Sequence, residues 1–253
     1  MIRATNERVF VAGAGGAIGI RLVALLVRSG SSVTGTTRSA ARAAQLAELG
    51  VQPVIVDVFD APALERAMTA ARPDIVIHQL TDLALLASGD RAEALQRNAR
   101  IRLEGTRNLV AAAIAAGARK LVSQSIAWLY APGSPEPHAE DDPLQVPAEG
   151  AAGATVRGVL ALEQQTLESP PLVGTVLRYG WLYGPGTGSG APGGTPGVHV
   201  DAAAFAALLA AQSSESGIFN IAEPSEHLMT TRAERDLGWD PNFRISTPRG
   251  ADR

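Results

Sequence analysis

A short apolar run, Val9-Phe10-Val11-Ala12, passes directly into Gly13-Ala14-Gly15-Gly16-Ala17-Ile18-Gly19 and then into a segment with Ile18, Leu22, Leu25 and Leu26 at helical spacing. No other feature restricts the fold as much as this succession of strand, glycine loop and helix. Gly13 lets the chain turn sharply, Gly15 and Gly16 let backbone N–H groups approach a pyrophosphate, and Gly19 lets helix and strand pack closely. The first helical residues, Ala17 and Ile18, then bring the positive end of the helix to the anion. The expectation is a dinucleotide site at residues 13–19.

The same alternation continues along the chain. Ser32-Val33-Thr34, Val54-Ile55-Val56 and Ile75-Val76-Ile77 each read as a strand followed by a helix, over 40–49, 62–71 and 91–116 respectively. Leu121-Val122-Ser123 and 173–177 supply two more strands. Strands apolar on both faces and alternating with helices imply a parallel sheet covered on both sides, a Rossmann-type doubly wound α/β fold. A helix over 201–212, a strand over 217–221 and a short helix over 231–237 follow. We divide the chain into a dinucleotide-binding domain over 1–180, with a proline-rich acidic excursion at 131–154, and a small substrate-binding part over 181–253. The glycine- and proline-rich stretch 184–197 follows a late strand, where substrate-covering loops of such sheets lie, although a plain flexible connection fits it equally well.

Composition narrows the chemistry. With no cysteine among 253 residues, disulfides, thiolate metal sites and a cysteine nucleophile are excluded, and the four histidines show no metal-ligand spacing. A net charge of -3 without a basic stripe speaks against nucleic acid as a partner. No apolar run reaches the roughly 18 residues that span a bilayer, and the charged N-terminus lacks the apolar stretch of a signal peptide, so a soluble cytoplasmic protein acting on a small molecule is expected.

Choice of cofactor falls to the end of the second strand, Gly35-Thr36-Thr37-Arg38-Ser39, where no acidic residue stands to hold a ribose 2′-hydroxyl. Arg38, helped by Ser39, Thr37 and Arg42, suits a 2′-phosphate instead, which favours NADP over NAD. Asp57, followed by Val58, ends the third strand where an adenine amino group would lie. His78-Gln79-Leu80-Thr81 ends the fourth, with Leu80 and Thr81 beneath the adenosine ribose and His78 read as an interior histidine.

These pieces resemble the extended short-chain dehydrogenase/reductases, the NAD-dependent epimerase/dehydratase family. The resemblance runs in order from the glycine loop and Asp57 through Gly105-Thr106-Arg107-Asn108-Leu109, Val122-Ser123-Gln124-Ser125, Leu177-Arg178-Tyr179-Gly180, Tyr183-Gly184-Pro185-Gly186 and His199-Val200-Asp201 to Leu237-Gly238-Trp239-Asp240-Pro241. It implies a nicotinamide cofactor across the sheet edge, touched by Ser123 and Tyr179, and a homodimer formed through two long helices, 91–116 and 155–169. It also implies a serine at the end of the fifth strand, matched by Ser125, and a tyrosine four residues before a lysine on the next helix. The pair is absent. Aligned on Glu163, the tyrosine seat is Thr155 and the lysine seat Val159, and the single lysine of the chain, Lys120, precedes the fifth strand.

Three functions remain open on these residues. The first is an NADP-dependent oxidoreductase exchanging hydride with the carbonyl or hydroxyl of a small metabolite, with Ser125 and Tyr130 as candidate catalytic groups. Trp128, Tyr130, Trp181 and Tyr183 near the mouth favour a moderately apolar substrate for it. The alternatives are a nucleotide-sugar epimerase or dehydratase, and an NADP(H)-binding sensor without turnover.

Overall fold

A computed structural model of the chain describes residues 4–82 and 90–246. Seven strands build its main sheet: β1 (Arg8–Ala12), β2 (Ser32–Thr37), β3 (Gln52–Ile55), β4 (Ile75–His78), β5 (Lys120–Ile126), β6 (Val173–Tyr179) and β9 (Gly217–Ile221). All are parallel, in the order β3-β2-β1-β4-β5-β6-β9. The direction of strand succession reverses between β1 and β4, and the crevice beyond their carboxyl ends is where such sheets bind ligands.

Alternate residues of the central strands explain the two layers. Val9, Val11, Ile75, Ile77 and Val122 face α1 (Ala17–Arg28) and the alanine-rich helix over 200–212. Phe10, Val76 and Leu121 face α3 (Ala61–Ala71) and the helix that carries Leu109 and Val110. Burying both faces removes the polar alternation that a half-exposed strand would show. Caps set the helix starts: Ser39 accepts from the Arg42 N–H at α2 (Ala40–Glu48), and Asp60 accepts from the Ala63 N–H at α3.

The long helix expected over 91–116 is interrupted. It comprises α4 (Arg91–Arg100), a π-helical turn over Ile101–Gly105, and α5 (Thr106–Ala115). Such turns insert one residue into the helical ladder and re-aim the side chains on it. Beside it lies α6 (Gly150–Leu167), packed so closely that a Cβ on Gly158 would come 2.9 Å from the Ala99 Cα.

The C-terminal region is less separate than a boundary at 180 implies. Its helix α7 (Val200–Gln212) covers α1 and its strand β9 extends the main sheet beside β6. Among the described residues, β7 (Trp181–Tyr183) and β8 (Gly197–His199), a small parallel pair, form a sheet of their own. Among the described residues, no helix is long and apolar enough to cross a membrane.

Candidate active site

The glycine loop has the geometry of a phosphate cradle. Gly13 has φ +85°, and a Cβ there would lie 2.7 Å from the Gln79 carbonyl oxygen, while a Cβ on Gly19 would lie 2.2 Å from the Gly13 carbonyl oxygen. Any side chain at either position would force β1, β4 and α1 apart. No side chain caps α1 and no acidic residue occupies its first turn, so the N–H groups of the turn over 17–19 remain available to an anion. The Tyr183-Gly184-Pro185-Gly186 stretch closes over them, with a Cβ on Gly186 placed 3.7 Å from the Ala17 Cα. These residues fit the pyrophosphate of a dinucleotide.

At the adenosine end the expected 2′-phosphate site is already engaged. The Arg38 guanidinium lies 3.4 Å from the buried Asp82 carboxylate. Asp82 is held in turn by Asn98, whose amide oxygen accepts from the Asp82 N–H at 3.0 Å and whose amide nitrogen donates to the Asp82 carbonyl at 2.7 Å. Ser39 serves as the α2 cap, and the Arg42 guanidinium donates to the Gly15 carbonyl. Asp57 is exposed and accepts from the Phe59 N–H at 2.9 Å, Val58 is buried against Gly105, and the Leu80 N–H donates to His78 Nδ1 at 3.2 Å beside Thr81.

Beyond the ends of β5 and β6 lies a buried polar network. Arg178 Nε and Nη2 donate to Glu163 Oε1 and Oε2 at 2.9 and 2.7 Å, and Ser125 Oγ donates to Glu163 Oε1 at 2.7 Å. Arg178 Nη1 donates to the Tyr130 hydroxyl at 3.0 Å, and that hydroxyl donates to Asn220 Oδ1 at 2.6 Å. The Asn220 N–H donates to Glu140 Oε1 at 3.0 Å. Burial alone would lower the Arg178 pKa, but its hydrogen bonds to Glu163 more than reverse this and hold it above its ordinary value. Burial raises the Tyr130 pKa against the opposing pull of Arg178, so its phenol stays protonated at neutral pH.

Ser125 and Tyr130 are therefore brought into one network, but both spend their proton inside it. Ser123 and Tyr179, expected at the cofactor, each have a hydrogen-bond partner within the protein. Ser123 is fully buried and accepts from Thr166 Oγ1 at 2.8 Å, while the Tyr179 hydroxyl donates to the Ala203 carbonyl at 3.1 Å on the α7 side of the sheet. Lys120 stands at the opposite end of β5, with Nζ donating to the Ser213 carbonyl.

Val159 sits in an apolar cluster, and Thr155 is buried with its hydroxyl spent on its own helix. Val156 and Val159 of α6 pack with Ile126, Leu129 and Leu144, and the Thr155 hydroxyl donates to the Ala151 carbonyl of its own helix at 3.2 Å. Of the aromatic set, Trp128 and Trp181 stack with centroids 4.2 Å apart, and loop 184–197 rests on Trp181, since a Cβ on Gly194 would lie 2.7 Å from its ring. Tyr183 turns instead to Glu223 and the edge of His199. The network partners Glu140 and Asn220 escape sequence reasoning; a polar residue inside the apolar strand 217–221 is the one available signal.

The family model described as the NAD dependent epimerase/dehydratase family matches residues 9–196. The chain belongs to this family. Its members' oxidoreductase chemistry with a nicotinamide cofactor is also the chemistry of this chain. A 3-diazoavenalumate denitrifying reductase of a Streptomyces species is 41% identical over 96% of this chain and 91% of its own length. A dTDP-4-dehydrorhamnose reductase of Streptomyces griseus is 31% identical over 72% of this chain and 52% of its own length. Among solved structures, the UDP-glucose 4-epimerase of Thermotoga maritima has a TM-score of 0.75 at 21% identity, covering 93% of this chain and 94% of that chain, and so shares the fold. The UDP-glucose 4-epimerase of Thermus thermophilus, solved with NAD, has a TM-score of 0.68 at 26% identity, covering 97% of this chain and 88% of that chain.

Two expectations are corrected by these relatives. The expectation of NADP is not backed by the relatives: the Thermus thermophilus UDP-glucose 4-epimerase was solved with NAD. The physical reason lies in Asp82, whose carboxylate neutralises Arg38 and would repel a 2′-phosphate. The relatives also back the nucleotide-sugar alternative over an NADP-dependent reaction at the carbonyl of a small metabolite.

Proposed function

We propose that this chain is an NAD-dependent reductase whose substrate accepts hydride without receiving a proton from a protein acid. The observation that carries this reading is that Val159 lies in an apolar cluster and the Thr155 hydroxyl is spent on the Ala151 carbonyl, at the two seats where the family's lysine and tyrosine would otherwise deliver that proton. Bound NADH would supply the hydride. The carbon of a diazonium ion is an acceptor of the required kind: R–N2+ would gain hydride, break its C–N bond and leave as R–H and N2, with NADH oxidised to NAD+. Hydride fills the bond that nitrogen vacates, so no oxygen has to be protonated. The relative named as a diazo-compound denitrifying reductase, matched over nearly the whole chain, supports this class of substrate.

In this reading the chain's own residues bind and orient. Gly13, Gly15, Gly16, Ala17, Ile18 and Gly19 hold the pyrophosphate, Arg38, Ser39, Asp57, Val58, Leu80 and Thr81 frame the adenosine, and Asp82 takes the ribose hydroxyl. Ser125 and Tyr130 are positioning residues that fix the ends of β5 and β6 through Glu163 and Arg178. The Trp128 and Trp181 pair offers a flat apolar wall at the mouth.

A second reading, an NAD-dependent oxidoreductase or epimerase of nucleotide sugars, is favoured by the relatives that act on them. One experiment separates the two. Purified protein with NADH is offered a benzenediazonium salt, and with NAD+ is offered UDP-glucose and dTDP-glucose, following absorbance at 340 nm and sugar epimers by NMR. Protein-dependent NADH oxidation with the diazonium salt supports the first reading. Sugar turnover without it establishes the second.

A further inference from the structure

The π-helical turn Ile101–Gly105 places a cation where the chain otherwise lacks one. Arg102 stands four residues before Thr106, whose Oγ1 lies 3.1 Å from His78 Nε2 at the carboxyl end of β4. Residues four apart share a helix face, and a long side chain on a helix leans toward its N-terminus, so Arg102 reaches beyond the end of β4. From the other side it faces α6: the charge of Glu163, one turn after Val159, acts on Arg102, and the charge of Arg102 acts on His78. The half-buried guanidinium makes no hydrogen bond or ion pair among the described residues. Three other arginines described around the site are engaged: Arg38 with Asp82, Arg42 with the Gly15 carbonyl and Arg178 with Glu163.

We propose that Arg102 holds the nicotinamide-side ribose of the dinucleotide, supplying from the π-helical turn the donor group that Val159 lacks. Its fork presents five N–H donors and remains charged, with burial lowering its pKa only to about 10 against the raising effect of Glu163. A charged group with unused donors beside a cleft is stable there when a polar ligand completes its hydrogen bonds.

The assignment rests on the dinucleotide reading, and the test keeps the two apart. Dissociation constants of ADP, ADP-ribose and NAD+ are measured by titration calorimetry for the wild type, Arg102→Ala and Arg102→Lys. ADP lacks the second ribose, and ADP-ribose carries it without nicotinamide. Arg102→Ala is expected to weaken ADP-ribose and NAD+ roughly tenfold and leave ADP within twofold. Arg102→Lys, which keeps the charge if the alanine variant fails to fold, is expected to show the same pattern at smaller size. Unchanged binding of all three ligands, or equal weakening of all three, would overturn the role of Arg102. Failure of the wild type to bind any of them would overturn the dinucleotide reading itself.

Discussion

Arg178 at the end of β6 grips Glu163 of α6 with both arms of its guanidinium, at 2.9 and 2.7 Å, and both side chains are more than nine-tenths buried. The pair ties the helix that should carry the family's proton relay to the carboxyl end of β6, and it fills the polar capacity of that region with structure.

Removing one partner leaves the other charged and buried. Glu163→Gln is expected to lower the unfolding free energy by about 3–5 kcal/mol, the usual penalty for orphaning one member of a buried ion pair. Urea denaturation reads this directly; a loss under 1 kcal/mol would show that the pair is dispensable.

Tyr130 separates a positioning role from a catalytic one. Tyr130→Phe leaves Asn220 Oδ1 without its donor and Arg178 Nη1 without one acceptor, so stability should fall by about 1–3 kcal/mol. Hydride transfer should stay within fivefold of the wild type with an unchanged pH profile. A loss of a hundredfold or more, with the fold intact, would make the phenol the proton donor.

Cofactor preference should turn on Asp82. Asp82→Asn removes the charge that neutralises Arg38 and is expected to raise NADPH affinity about tenfold, with NADH affinity falling at the same time. Competitive binding of the two reduced cofactors, followed by their fluorescence, measures the ratio. Unaltered preference would place the discrimination elsewhere.

His78 sets an acid limit on stability. Burial, reinforced by the positive charge of Arg102, depresses its pKa from 6.5 to about 3. Between those values the unfolded chain binds the proton and the folded chain does not, so stability present above pH 6.5 drains away as the pH falls toward 3. The neutral ring accepts from the Leu80 N–H at Nδ1, which leaves Nε2 to donate to Thr106. Thermal melts of the wild type and His78→Gln from pH 7.5 to 4.5 should show the steeper acid decline in the wild type; parallel curves would contradict the assignment.

The sheet and the phosphate loop were legible because their signals are local: central strands apolar on both faces, and glycines whose spacing is the geometry itself. What stayed hidden depends on partners distant in sequence. Arg38 reads as a phosphate site until Asp82, 44 residues later, is seen beside it, and Glu163 reads as an alignment landmark until Arg178 and Ser125 converge on it. The π-helical turn was invisible because Ile101 and Gly105 remain on the buried face, so the apolar pattern runs on through the extra residue. β7 and β8 have three residues each, too few to show a period.

Isotope transfer tests most directly the claim of hydride delivery without a protein acid. NADH carrying deuterium at C4 is incubated with the protein and a benzenediazonium salt in ordinary water, and the arene is analysed by mass spectrometry. Protein-dependent deuterium is expected at the carbon that lost nitrogen, with N2 and NAD+ formed in equal amounts and the same yield in Thr155→Val. Turnover in which that carbon carries a solvent proton, or activity that disappears in Thr155→Val, would contradict it.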